Sequence, residues 1–278
     1  LSSAGAMVAG SSTAQQQGEE LITEIQTWAQ ELGDGVDETP YGVPIEHESD
    51  VIRRNVPWLT ADTISSVNFT PIYALDGTIT PQGCAFERHH SGAIDLKKVD
   101  YRLMVNGLVD TPLVFTYFDL ERFPRENHVY FCECAANTGM EWAGAQLNGA
   151  QFTHGMIHNM EYTGVSMRTI LNEAGLGAAG DLKDKWIFVE GADASSNGRS
   201  IPMEKALDDV FVAFKANGEA LRKEHGYPVR LVVPGWEGNM WVKWLRRIEV
   251  TDGPVESRED NSKYTDTLAD GISRKWTW

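Results

Sequence analysis

The chain has 278 residues, 42% of them hydrophobic and 23% charged, an ordinary globular balance with length for about one or two domains. A formal net charge of -16 repels nucleic acid and anionic membrane surfaces, which excludes both as main partners. Three cysteines (Cys84, Cys132 and Cys134) fall short of a disulfide framework, and no apolar run approaches the ~18 residues of a membrane span.

Residues 1–17, rich in Ser, Ala, Gly and Gln without periodicity, read as a flexible arm. They show no charged region followed by an apolar one, so any export signal has been removed or never existed. Leu21, Ile22, Ile25, Trp28 and Leu32 fall on one face of a helix predicted over 19–32, with Gly33 as its stop. Residues 1–50 thus form an N-terminal arm and docking helix. The body, 51–250, opens with short extended segments at 68–72, 101–105, 113–116, 128–133, 186–190 and 230–233. Turns at Asp76-Gly77, Asn106-Gly107 and Asn148-Gly149 separate several of them, and 100–110 with 113–117 reads as a hairpin. Helices are predicted over 165–174, with Thr163 as cap and Gly175 as stop, and over 202–210, where Pro202 suits the first turn. The class is α+β, with long irregular loops. Beyond Val250 the chain turns polar and ends on Trp276-Thr277-Trp278, so 251–278 reads as a linker or the start of a further domain.

Three stretches can carry chemistry. Phe86-Glu87-Arg88-His89-His90-Ser91-Gly92 is either a polar surface turn or a set of donors for one anionic group. In Cys132-x-Cys134, alternation along a strand puts the thiols on opposite faces, so on spacing alone they read as buried small hydrophobes. Cys134, however, arrives where a buried strand breaks into small residues, a rigid soft sulfur beside open space. His225, Arg230 and Lys243 bracket an apolar strand and its loop, a plausible phosphate site or ordinary end-of-element charges.

In their order, Arg88-x-His90, Cys134-Ala135-Ala136-Asn137, His225-Gly226-Tyr227-Pro228-Val229-Arg230 and Lys243-Trp244-Leu245 resemble the molybdopterin domain of the sulfite oxidase family over about residues 51–250. The resemblance implies a sulfite-oxidase-type molybdopterin-binding fold of mixed sheets, with molybdenum bound to molybdopterin and to the thiolate of Cys134. It implies cofactor contacts from Phe86, Arg88, His89, His90, Asp193, His225, Arg230, Trp241, Val242 and Lys243, with Cys132 as a buried neighbour on the other face of the strand. Arg88 and Tyr264 would orient substrate.

The departures bear on substrate. Where sulfite-oxidising members carry two arginines after Cys-Ala-Gly-Asn, this chain has Thr138-Gly139, and Phe152 stands where a tryptophan is expected. Losing a charge-assisted donor from an anion site costs about 1.5–3 kcal/mol. Cys134 to Trp142 and Thr153 to Val165 resemble the sulfane dehydrogenase (SoxC) subfamily. That likeness implies periplasmic oxidation of the sulfane sulfur of a thiosulfonate bound to a carrier-protein cysteine, in thiosulfate oxidation. Electrons would pass to a c-type cytochrome subunit in a hetero-oligomer, since no Cys-x-x-Cys-His haem motif occurs in this sequence. Members of that subfamily continue into a dimerisation domain, which in this reading is missing or truncated after 250. The alternatives are a sulfite oxidase, a protein methionine sulfoxide reductase on the same scaffold, and a cofactor-free binding module.

Overall fold

In the computed structural model the described residues are 30–32, 40–60, 62–142 and 144–275. The predicted helix over 19–32, except its last three residues, and the terminal Trp276-Thr277-Trp278 lie outside them. The chain divides into two compact units, 1–40 and 41–278.

The second unit begins with a two-stranded ribbon, β1 (Arg54–Asn55) against β2 (Asn68–Phe69). The predicted hairpin follows: β3 (Arg102–Gly107) pairs antiparallel with β4 (Leu113–Thr116). Helix α1 (Tyr117–Leu120) comes next, started by a capping box in which Thr116 and Asp119 each satisfy the other's backbone N–H. Strand β5 (Glu126–Glu133) runs antiparallel to β6 (Ile157–Ser166), with the short helix α2 (Ala150–His154) between them. Helix α3 (Met167–Ala174) is capped by Ser166, whose hydroxyl accepts the N–H of Thr169. The predicted cap Thr163 lies instead inside β6, because the chain stays extended until Ser166. Strands β7 (Trp186–Gly191) and β8 (Gly198–Pro202), helix α4 (Met203–Asp208), and strands β9 (Phe211–Ala216), β10 (Glu219–Ala220), β11 (Arg230–Val232) and β12 (Leu245–Thr251) complete the body. Helix α5 (Arg258–Ser262) and the ribbon β13 (Thr265–Thr267) with β14 (Ser273–Lys275) follow.

These strands form two five-stranded sheets. One has the order β10-β9-β6-β5, with β11 also on β9; the other has the order β4-β3-β12-β7-β8. In the second sheet β12 is parallel to β3 and antiparallel to β7, so Ile248 sits between Val105 and Val189. Alternation explains the burial: Leu103, Val105, Ile187, Val189, Ile248 and Val250 point into the core, while Arg102 and Met104 point out. Several strands escaped the sequence reading, β6, β8, β9 and β12 among them. In β6 the inward positions include His158, Met160, Tyr162 and Gly164, so a polar residue and a glycine hide the period. In β9 nearly every position is buried, which erases alternation altogether. The functional consequence is geometric. The end of β5, the start of β6, the start of β11 and the loops leading into β12 deliver their side chains to one cavity.

Candidate active site

That cavity is a partly open cleft, with about 740 Å³ of empty space when the part open to solvent is counted. Cys134 leaves β5 one residue after the strand ends, and its N–H donates to the Met156 carbonyl at 3.0 Å. Asn137 clamps the turn: its amide donates to Glu133 Oε1 at 2.9 Å and its carbonyl oxygen accepts the N–H of Met156 at 3.1 Å. Burial pushes the Cys134 thiol up, against the lowering effects of the Ala136 N–H and of Arg88. Cys132 is also raised by burial, to about 12. Contrary to the expectation of opposite faces, both thiols line the cavity. Strict alternation stops at Glu133, so Cys134 is free of the strand's geometry. Among the described residues no group of three or more His, Cys, Asp or Glu side chains converges as a metal site.

One wall is a hydrogen-bonded chain of charges. Lys243 Nζ donates to the carbonyls of Arg88 and Glu224, each at 3.0 Å, and to His89 Nδ1 at 2.9 Å. An ammonium can only donate, so His89 accepts at Nδ1 and carries its proton on Nε2, which donates to Glu87 Oε2 at 2.6 Å. Arg53 then bridges Glu87 at 3.1 Å and Glu224 at 3.2 Å. Burial alone would raise the Glu87 carboxyl, but the His89 hydrogen bond and Arg53 outweigh it and hold it down at about 2. Burial, with Arg230 nearby, brings Lys243 down to about 7. All three N–H bonds of Lys243 are thus committed to protein, and it acts by fixing the loop that carries Arg88 and His89.

The inner end holds His158, His225 and Arg230. His225 Nε2 donates to the carbonyls of Ala85 at 3.2 Å and Phe86 at 3.3 Å, which leaves Nδ1 as an acceptor. Gly226, at φ +103°, makes the turn after it in a conformation L residues rarely adopt. His158 Nε2 meets the Tyr162 hydroxyl at 2.9 Å. The Nδ1 atoms of both histidines are buried without a hydrogen-bond partner, an arrangement that costs free energy unless a ligand completes it. Burial holds His158 neutral, down at about 3, and pushes His225 well below its ordinary value. Arg230 lies 5.6 Å over the Trp241 ring and donates to the Trp241 carbonyl at 3.1 Å. Asp193, in the turn after β7, accepts from the Ser195 hydroxyl.

At the mouth, His90 Nε2 meets the Tyr264 hydroxyl at 3.2 Å and His90 Nδ1 meets Lys263 at 3.2 Å. Burial, reinforced by Arg88, pushes His90 down to about 4, so the ring is neutral. Burial and the neighbouring Cys134 push Tyr264 up to about 12. Thr138 adopts the left-handed conformation at φ 63°, and a Cβ at Gly139 would meet nothing within 4 Å.

Of the residues singled out in the sequence, Phe86, Arg88, His89, His90, Cys134, Asp193, His225, Arg230, Trp241, Lys243 and Tyr264 line this one cavity. Val242 does not. Its side chain is in the core, and its carbonyl accepts the N–H of Leu231 at 2.8 Å. The sequence reading missed Glu87, His158, Ser195, Asn197, Glu224, Asn239 and Trp244 as lining residues. Glu87 and Glu224 carry a signal in hindsight, as acids beside the cationic motifs. His158 carries none while β6 goes unrecognised.

The oxidoreductase molybdopterin binding domain family matches residues 90–259. Mouse (Mus musculus) mitochondrial sulfite oxidase is 31% identical over 217 residues, 75% of this chain and 38% of that protein. The NADH nitrate reductase 1 of Phaseolus vulgaris is 31% identical over 218 residues, 73% of this chain and 24% of that protein. The crystal structure of the sulfane dehydrogenase SoxCD from Paracoccus pantotrophus superposes with a TM-score of 0.86 at 68% identity, covering 93% of this chain and 65% of that one. The chain thus spans about two fifths or less of these two curated relatives.

Proposed function

The chain belongs to the oxidoreductase molybdopterin-binding family that includes sulfite oxidase, and from that premise we propose that it oxidises the sulfane sulfur of a thiosulfonate held on a carrier-protein cysteine. Its cofactor is molybdenum bound to molybdopterin. The donor set fits that group: a single soft thiol, Cys134, at one end, and Arg230 with the two orphaned imidazole nitrogens of His158 and His225 at the other. When bound, the cofactor supplies oxygen-atom transfer, with water as the source of oxygen; each oxygen gained by sulfur releases two protons and two electrons.

The chain's own contribution is positioning. Cys134 anchors the metal on a turn clamped by Asn137. His225 and Arg230 hold the far end of the cofactor, and Trp241 closes the wall beside them. Arg88 and Tyr264 face the reacting end and orient the sulfur group, while neutral His90 fixes the Tyr264 hydroxyl. The observation that carries the substrate reading is position 139. No side chain stands there and a Cβ would meet nothing within 4 Å, whereas sulfite-oxidising members of the family carry an arginine after the matching motif. Without that cation, a site anchored by Arg88 favours a sulfur group of lower charge than free sulfite, one attached to something larger. The likeness to the sulfane dehydrogenase SoxCD supports a sulfane-sulfur substrate; a c-type cytochrome as electron acceptor, a hetero-oligomer and a periplasmic setting for thiosulfate oxidation belong to the same proposal.

Elemental analysis together with turnover tests this reading. The purified protein should hold about one molybdenum per chain and reduce ferricyanide with a peptide cysteine S-thiosulfonate as donor. Cys134→Ala should keep the fold and abolish turnover. Full activity in that variant, or oxidation of sulfite alone, would sink the proposal.

A further inference from the structure

Arg199 is a charged side chain with 0% relative exposure, on the second residue of β8. Its Nη1 donates to the Gly198 carbonyl at 2.9 Å, to Ser257 Oγ at 3.1 Å and to Asp260 Oδ1 at 3.4 Å, and its Nε donates to Asn239 Oδ1 at 3.3 Å. Its Nη2 is buried without a partner. The guanidinium carbon lies 4.5 Å from the centroid of the Tyr264 ring. Asp260, its one salt-bridge acid among the described residues, is shared, because Oδ2 accepts the N–H and hydroxyl of Ser257 in the α5 capping box. A desolvated cation stacked on an aromatic face attracts the ring strongly and fixes its plane. It also withdraws electron density from the phenol, which makes the hydroxyl a better donor to an anionic group.

We infer that Arg199 is the positioning residue for Tyr264: it locks the ring against the cavity and polarises its hydroxyl toward the reacting group. This rests on the substrate reading above for what Tyr264 orients, and it narrows the reacting group to one with a hydrogen-bond acceptor in line with that hydroxyl. A buried guanidinium acts through one hydroxyl with a fixed direction, so it favours a terminal sulfur group that accepts a single directed hydrogen bond over a free dianion.

The test uses the full-length, molybdenum-loaded protein with fluorotyrosine incorporated, so that Tyr264 is one resonance among those of the eight tyrosines, assigned by its loss in Tyr264→Phe. In Arg199→Met that resonance should shift and broaden while the others stay. Arg199→Lys, which keeps the charge and loses the planar stack, should give a smaller shift. Since Arg199→Met strands the charge of Asp260, the paired Arg199→Met/Asp260→Asn variant removes that charge, keeps an oxygen to accept from Ser257, and gives the same readout. With the peptide S-thiosulfonate and ferricyanide, Arg199→Met should lower kcat/KM about tenfold in the wild-type background and less than about twofold in Tyr264→Phe, the non-additivity expected of residues in contact. An unmoved Tyr264 resonance, or an equal kinetic loss in both backgrounds, overturns the inference. A moved resonance in a loaded wild-type protein that leaves the thiosulfonate untouched upholds Arg199 as positioning residue and refutes the substrate instead.

Discussion

Glu87 keeps its charge inside the protein because the His89 imidazole, the Arg53 cation and the Asn68 amide surround it, and that makes it a pH-sensitive part of the site. Its carboxyl sits at about 2 in the folded chain against an ordinary 4.5. The stability it contributes is present above the ordinary value and lost as pH falls through the folded one. Glu87→Gln should cost about 1–3 kcal/mol at neutral pH, as expected when a buried ionic hydrogen bond loses its charge. It should also remove the part of the acid-induced loss that falls between pH 4.5 and about 2, read by denaturant melts across that range. Position 139 is the complementary case, since nothing blocks a side chain there. Gly139→Arg should raise kcat/KM for sulfite about tenfold or more, in line with a gained charge-assisted hydrogen bond, and lower it for the bulky thiosulfonate. At this scale the sequence was informative where a motif joined adjacent positions, as in Phe86 to His90 and His225 to Arg230. It was silent on His158, because β6 went unrecognised, and on Arg199, whose partners Asn239, Ser257 and Asp260 lie forty residues or more along the chain. Val242, between Trp241 and Lys243 in its motif, has its side chain in the core.

Strand β6 carries the largest element-level lesson. Its inward face is His158, Met160, Tyr162 and Gly164, a mixture that periodicity does not flag, yet it is the central partner of both β5 and β9. Gly164 lies at a register shift between β6 and β9, and a Cβ there would come within 2.3 Å of the Val212 carbonyl. Gly164→Ala should therefore destabilise the protein by about 1–3 kcal/mol, as overpacking against rigid backbone does, measured by urea unfolding. Helix α5 was equally hidden, because 256–263 reads as solvated charge. In the fold Glu259 and Asp260 are 1% and 4% exposed, drawn in by Arg199, Arg258 and Lys263. Ser257→Ala removes its capping hydroxyl and a contact to Arg199. It should cost about 1 kcal/mol and loosen Tyr264, visible as faster amide exchange over 257–264. By contrast, the hairpin of β3 and β4 was legible, since its turn glycine and its apolar alternation are both local.

At the scale of the whole molecule, the α+β class and the order of the motifs were readable because each motif is contiguous. The two-sheet arrangement was not, since pairing β12 with both β3 and β7 joins segments more than fifty residues apart. The net charge of -16 is a property of the entire surface and bears on electron transfer. Reduction of a basic c-type cytochrome should slow about tenfold between roughly 20 and 200 mM salt, as screening removes electrostatic steering. The central claim is that this molybdopterin domain acts on sulfur bound to a carrier. The most direct test gives the molybdenum-loaded protein a peptide cysteine S-thiosulfonate and free sulfite in parallel, with ferricyanide as common acceptor. The account predicts a kcat/KM at least about tenfold higher for the thiosulfonate, the lower end of the ratio that a lost ionic contact of about 1.5–3 kcal/mol supports for sulfite. Equal or faster turnover of sulfite would contradict it.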